Sequence, residues 1–140
     1  KRLAVVANST PLYLRPGRIG RMRLRLRSGD SAEWEWAVAS GTVDFTVRFE
    51  WEHPEHGVAS MAGPHTATTA STTAVVQQYQ HEASSGRASG RFERSADEPE
   101  GVLELCWSNY ESYVRSRSIS HRVVLRNQSG ASLRGDVVVE

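Results

Sequence analysis

Residues 32–51 read AEWEWAVASGTVDFTVRFEW. Apolar side chains fall at every second position: Trp34, Trp36 and Val38, then Val43, Phe45, Val47, Phe49 and Trp51. Between them stand Glu33, Glu35, Asp44, Thr46, Arg48 and Glu50. A period of two gives each half a strand with one dry face and one wet face. Ser40-Gly41-Thr42 is a connector short enough to return the chain antiparallel to itself. The stretch sets an all-β fold class and carries no catalytic motif.

Outward from this stretch the same pattern recurs. Arg21–Arg27 alternates Met22, Leu24 and Leu26 with four arginines, and Ser28-Gly29-Asp30 turns the chain towards Glu33. The spacing predicts an antiparallel hairpin over 21–39, continued by a strand at 43–51. Further strands are expected at 3–7, 74–80, 91–94, 101–107, 118–126 and 133–139, with Asn8–Pro11, Pro16-Gly17 and Asn127–Gly130 as turns. GRASG at 86–90 reads as a turn. Residues 53–73, with His53-Pro54, Gly57, Gly63-Pro64 and many Ala, Ser and Thr, read as a long loop. Eight or nine short strands and no helical periodicity predict an antiparallel β-sandwich of jelly-roll type.

At 140 residues, 39% hydrophobic and 24% charged, the chain suits one soluble domain spanning 1–140. It begins at Lys1 without a signal-peptide pattern, as expected of a domain excised from a longer protein. Cys106, the sole cysteine, excludes an internal disulfide and points to the cytosol. Net charge is +1, but residues 1–27 hold eight basic residues and no acid. Residues 28–60 hold seven acids against Arg48 alone. Adjacent blocks of opposite sign argue against nucleic acid, whose binding stripes are usually free of neighbouring acid.

Two segments resemble the GOLD (Golgi dynamics) domain. One is AEWEWAVASGTVDFTVRFEW, similar to that family's aromatic-rich strand, short turn, and strand in which an acid precedes Phe. The other is WSNYESYVRSRSISHRVVL, similar to its late aromatic–Asp–Asn–x–x–Ser–aromatic segment leading through a basic residue into a closing strand. Trp107 takes the aromatic place, Asn109 the Asn place, Ser112 the Ser place and Arg117 the basic place. Ser108 stands where the family has Asp, and His121 where a strand aromatic is common. The likeness covers about 20–126. It implies a β-sandwich that serves as a protein-interaction adaptor in membrane trafficking, cytoplasmic and peripheral on Golgi or endosomal membranes.

Asn109, Tyr110, Tyr113, Arg115 and Arg117 are the candidate partner-binding residues. Two tyrosines lie on a polar connector where no core pattern demands them, and arginines flank them. The competing use of that connector is packing over the sandwich end. Arg21, Arg23, Arg25 and Arg27 share one strand face and form the alternative site, for anionic lipid. Against it stands cross-strand pairing with Glu33 and Glu35, although two acids cannot neutralise four arginines.

Trp34, Trp36, Trp51 and Trp107 are expected in the core rather than on a sugar-stacking surface. His53, His56 and His65 lack the cysteines that would complete a zinc site, so no metal and no cofactor is expected. His121 is expected inside as a hydrogen-bonded residue. Neither an embedded nucleophile, nor paired carboxylates, nor a phosphate loop occurs, so the chain reads as non-enzymatic.

Overall fold

The computed structural model describes residues 2–5, 11–54, 69–110, 115–127 and 137–139. Among the described residues, ten strands run in chain order: β1 Arg2–Val5, β2 Leu12–Leu14, β3 Ile19–Leu26, β4 Ser31–Val38, β5 Thr42–Pro54, β6 Thr69–Glu82, β7 Ala88–Glu93, β8 Gly101–Ser108, β9 Arg117–Asn127 and β10 Val137–Val139. They form two five-stranded antiparallel sheets. One is ordered β1-β9-β4-β7, with β2 pairing a second stretch of β9; the other is β10-β3-β8-β5-β6. The fold is the expected all-β sandwich.

The predicted hairpin over 21–39 does not form. β3 pairs β8 and β10, whereas β4 pairs β7 and β9 in the other sheet. The chain crosses again after Val38, so β4 and β5 also lie in different sheets. Alternation shows that a strand has one dry face, but not which strand shares its hydrogen bonds. A connector of a few residues can either reverse within a sheet or cross to the facing one about 10 Å away.

The first crossing is pinned at Arg94. Gly29 N–H donates to Arg94 O (2.9 Å), and Arg94 N–H to Asp30 O (2.8 Å). The Arg94 side chain is itself buried, with its guanidinium 4.3 Å from the Phe49 ring centroid. Its remaining donors go to Pro99 O (2.9 Å) and Glu98 Oε2 (3.0 Å).

The two ends of the predicted loop over 53–73, residues 53–54 and 69–73, are strand. β5 reaches Pro54 and β6 begins at Thr69, so only 55–68 of that segment lies outside the described residues. Ala88–Gly90 of GRASG belongs to β7, and the turn is confined to the residues before it.

A single cluster of buried side chains fills the gap between the sheets. Trp36, from the first sheet, packs on Phe45 (centroids 4.9 Å apart) and edge-on to Trp107 (6.3 Å, 84°), both from the second. Each such ring stabilises by about 2–3 kcal/mol through burial alone. Trp34 is buried as expected, while Trp51 is only partly buried. Gly90 lies opposite Trp34 on β7. A Cβ there would come within 2.5 Å of the indole, so the tryptophan occupies the space that a side chain would need.

His121 sits opposite Trp36 in register, its ring 5.6 Å from that of Trp107. It is partly rather than fully buried. Burial pulls its pKa below the ordinary imidazole value of 6.5, and a hydrogen bond with the Ile119 backbone opposes part of that.

Gly90→Ala is expected to cost about 1–3 kcal/mol in urea unfolding, because the rigid indole cannot yield as a flexible side chain would. The depressed His121 pKa predicts a pH slope. The unfolded chain takes up the proton first, so stability present above pH 6.5 declines as pH falls through that value. His121→Gln removes that part of the slope, read as melting temperature between about pH 7.5 and 5.5.

Candidate functional site

Asn109 is the residue on which one end of the sandwich is assembled. It is 2% exposed. Its Nδ2 donates to Leu14 O (3.0 Å) and to Arg115 O (2.9 Å). Its backbone N–H donates to Arg18 O (2.9 Å), and its carbonyl accepts from Gly17 N–H (2.9 Å). Four bonds thus tie the end of β8 to the segment before β3 and to the approach to β9. Asn109 is therefore a scaffold for this end, and a partner cannot reach it directly.

The segment Tyr13–Arg18, which carries no site signal in the sequence, forms the other side of this end. Arg15-Pro16-Gly17-Arg18 is a β-turn closed by Arg18 N–H to Arg15 O (3.0 Å). Proline at the second position and glycine at φ +77° make it type II, where the positive angle requires glycine. Pro16-Gly17 was the signal for the turn. β2 left almost none, because Leu12-Tyr13-Leu14 alternates over only three residues.

Exposure separates the candidates. Tyr110 is 70% exposed and Tyr13 61%, each one residue from the Asn109–Leu14 hydrogen bond. Tyr110 N–H donates to Ser108 Oγ (3.2 Å). Ser108 thereby accepts a bond that a side-chain carboxylate at that place could equally accept. Arg15 and Arg18 are exposed and make no ion pair within the described residues. Arg115 is exposed too and engages its surroundings. Tyr113 lies outside the described residues.

Arg117 is partly buried and turned inward. Its Nε donates to Thr42 O (3.3 Å) and its Nη1 to Ser116 O (3.3 Å). The guanidinium covers Gly41, where an added Cβ would lie 2.4 Å from Cζ and where φ is +74°. It closes the β4–β5 crossing.

The arginine strand is placed differently from either expectation. Arg21, Arg23 and Arg25 lie on the outer face of β3, whereas Arg27 follows the strand, its backbone N–H donating to Asp30 Oδ2 (2.9 Å). Glu33 and Glu35 are on the outside of the opposite sheet and cannot reach them. Arg21 (3.3 Å) and Arg23 (2.9 Å) instead share Glu104, and Arg25 binds Glu100 (2.6 Å). Arg48 stands opposite Glu104 from the other side, exposed and without an ion pair within the described residues. Glu33 pairs with Arg91 (3.7 Å) and Arg126 (3.6 Å), and Glu35 with Arg87 (3.5 Å). Glu33, Glu35, Arg91 and Arg126 line a shallow groove of about 550 Å³ over β9, β4 and β7 together with Arg122, which is exposed and has no ion pair within the described residues.

Among the described residues, no three His, Cys, Asp or Glu side chains are grouped to hold a metal ion. His56 and His65 lie outside them. Cys106 is partly buried on β8, opposite Arg21 and Thr46. Compared with known proteins, the chain matches no family model and no curated sequence.

Asn109→Ala strands two carbonyls at the base of this end. It is expected to lower stability by about 1–3 kcal/mol in urea unfolding and to speed amide exchange at Tyr110 relative to β8.

Proposed function

We propose that this sandwich is a non-enzymatic docking module that binds a protein partner through the end built on Asn109. The observation that carries this reading is the pair of exposed tyrosines, Tyr13 and Tyr110, beside Arg15 and Arg18, two arginines without ion pairs. Large rings with few rotamers lose little entropy on contact, and open guanidiniums fork readily onto carboxylates. The fitting partner is an acidic segment with an apolar or aromatic residue to lie on the rings. The GOLD resemblance adds the setting: an adaptor in membrane traffic, on the cytoplasmic side of Golgi or endosomal membranes.

A second reading is peripheral binding to anionic lipid through Arg21, Arg23, Arg25 and Arg27. Arg48 supports it, since with Arg21 and Arg23 it places three arginines in one concavity with two carboxylates, Glu104 and Glu50. A headgroup phosphate must compete with Glu104 and Glu100 for most of these donors, so it ranks second.

Pull-down from cell extract compares the wild type with Tyr110→Ala and with Arg15→Ala/Arg18→Ala. The variants are expected to lose the partner by about 30-fold, with unchanged melting temperatures, and the arginine pair is expected to weaken the salt dependence. Retention by both variants, together with flotation on phosphatidylserine vesicles that fails at high salt, decides for the lipid reading. Arg117→Ala is a poor probe, because that side chain supports the strand crossing.

A further inference from the structure

Within the described residues, the groove over β9, β4 and β7 is set among four arginines and three carboxylates. Arg87, Arg91, Arg122 and Arg126 stand against Glu33, Glu35 and Glu93. Arg122 is the surplus charge. It lies directly opposite Glu35 in register, yet the ion pair of Glu35 is with Arg87, from the β7 side. Arg126 adds a second open donor, because its Nε–H is buried with no acceptor among the described residues.

The carboxylates are neutralised without being saturated. Glu33 lies between Arg91 (3.7 Å) and Arg126 (3.6 Å), and Glu35 is 3.5 Å from Arg87. A closed charge-assisted bond is about 2.8 Å long, so both carboxylates keep acceptor positions open. A further cation there would meet the arginines already in place, whereas a neutral hydroxyl can donate freely. Ser89, exposed and opposite Glu35 on β7, adds a hydroxyl that donates or accepts. Apolar surface is scarce in this lining: Trp34 is 2% exposed, and Val124 is the other large apolar side chain.

We propose that this groove binds an acidic sugar, with its oxyanion on Arg122 and its hydroxyls on Glu33, Glu35 and Ser89. Arg126 Nε–H is then left for a sugar oxygen. Charge and donor pattern together select this ligand. A bare oxyanion would use the arginines and leave the carboxylates beside it unrewarded. A neutral sugar would leave Arg122 open, and no exposed ring in the lining offers it a stacking surface. A guanidinium forks onto phosphate and carboxylate alike, so sugar phosphates and uronic acids share the chemistry. A volume of about 550 Å³ suits a small molecule, whose sites span roughly 300–1,000 Å³. The groove shares no residue with the end built on Asn109, so the two sites can be tested apart.

Calorimetric titration of the full chain, with amide shift mapping by NMR, tests this using glucose-6-phosphate, glucuronate, glucose and inorganic phosphate. At least one of the two acidic sugars is expected to bind with a dissociation constant below ~1 mM, at least ~10-fold tighter than glucose or inorganic phosphate. The shifted amides are expected on β4, β7 and β9. Arg122→Gln is expected to weaken this binding at least ~10-fold at unchanged melting temperature, while Arg48→Gln on the opposite face leaves it intact. Failure of both acidic sugars to bind overturns the proposal, as does glucose or inorganic phosphate matching them. Full affinity in Arg122→Gln, or an equal loss in Arg48→Gln, overturns it too. Should Arg122→Gln unfold, the wild-type shift map decides: shifts away from β4, β7 and β9 reject the groove.

Discussion

Between the two sheets the described residues have side-chain packing and short crossings to hold them, and no shared hydrogen-bond ladder. Trp36 is the piece that joins them, touching Phe45 and Trp107 across the gap while β4 holds it in the first sheet. Consecutive strands β3, β4 and β5 alternate between sheets, so neither sheet can be completed before the other has begun. This is a fold of distant contacts: apart from the consecutive pair β5 and β6, the paired strands come from far apart along the chain. Such topologies fold slowly, because loop closure must precede any reward from pairing.

The crossings set the electrostatics as well. By sending β3 and β4 to opposite sides, the fold separates the arginine strand from the acids next to it in sequence. Each face then finds its own partners: Glu104 and Glu100 on one, Arg87, Arg91 and Arg126 on the other. Exposed pairs of this kind contribute only a few tenths of a kcal/mol each. Their larger effect is to offset most of the charge on both broad faces, although Arg48 on one and Arg122 on the other stay without an ion pair within the described residues, as do Arg15 and Arg18 at the end.

Fold class was legible in the sequence because alternation is a local property. Trp34, Trp36, Phe45 and Trp107 went to the core on that evidence alone. Pairing was not legible, since the same pattern serves a strand in either sheet, and the hairpin over 21–39 failed for this reason. The site was legible in part. Tyr110 and Arg115 stand out on a polar connector, but nothing in the letters marks Asn109 as buried scaffold or Arg117 as the cover of Gly41. Tyr13, Arg15 and Arg18 join them only through hydrogen bonds to a residue more than ninety positions away, a relation that no local window contains.

The bonds made by Asn109 end mostly on main-chain atoms of Leu14, Gly17, Arg18 and Arg115. Backbone is the same whatever side chain it carries. The shape of that end is therefore decoupled from the identity of the groups it displays. Tyr13, Arg15, Arg18 and Tyr110 can be exchanged for other residues without rebuilding their support, so a lineage can change what it recognises while keeping how it presents it.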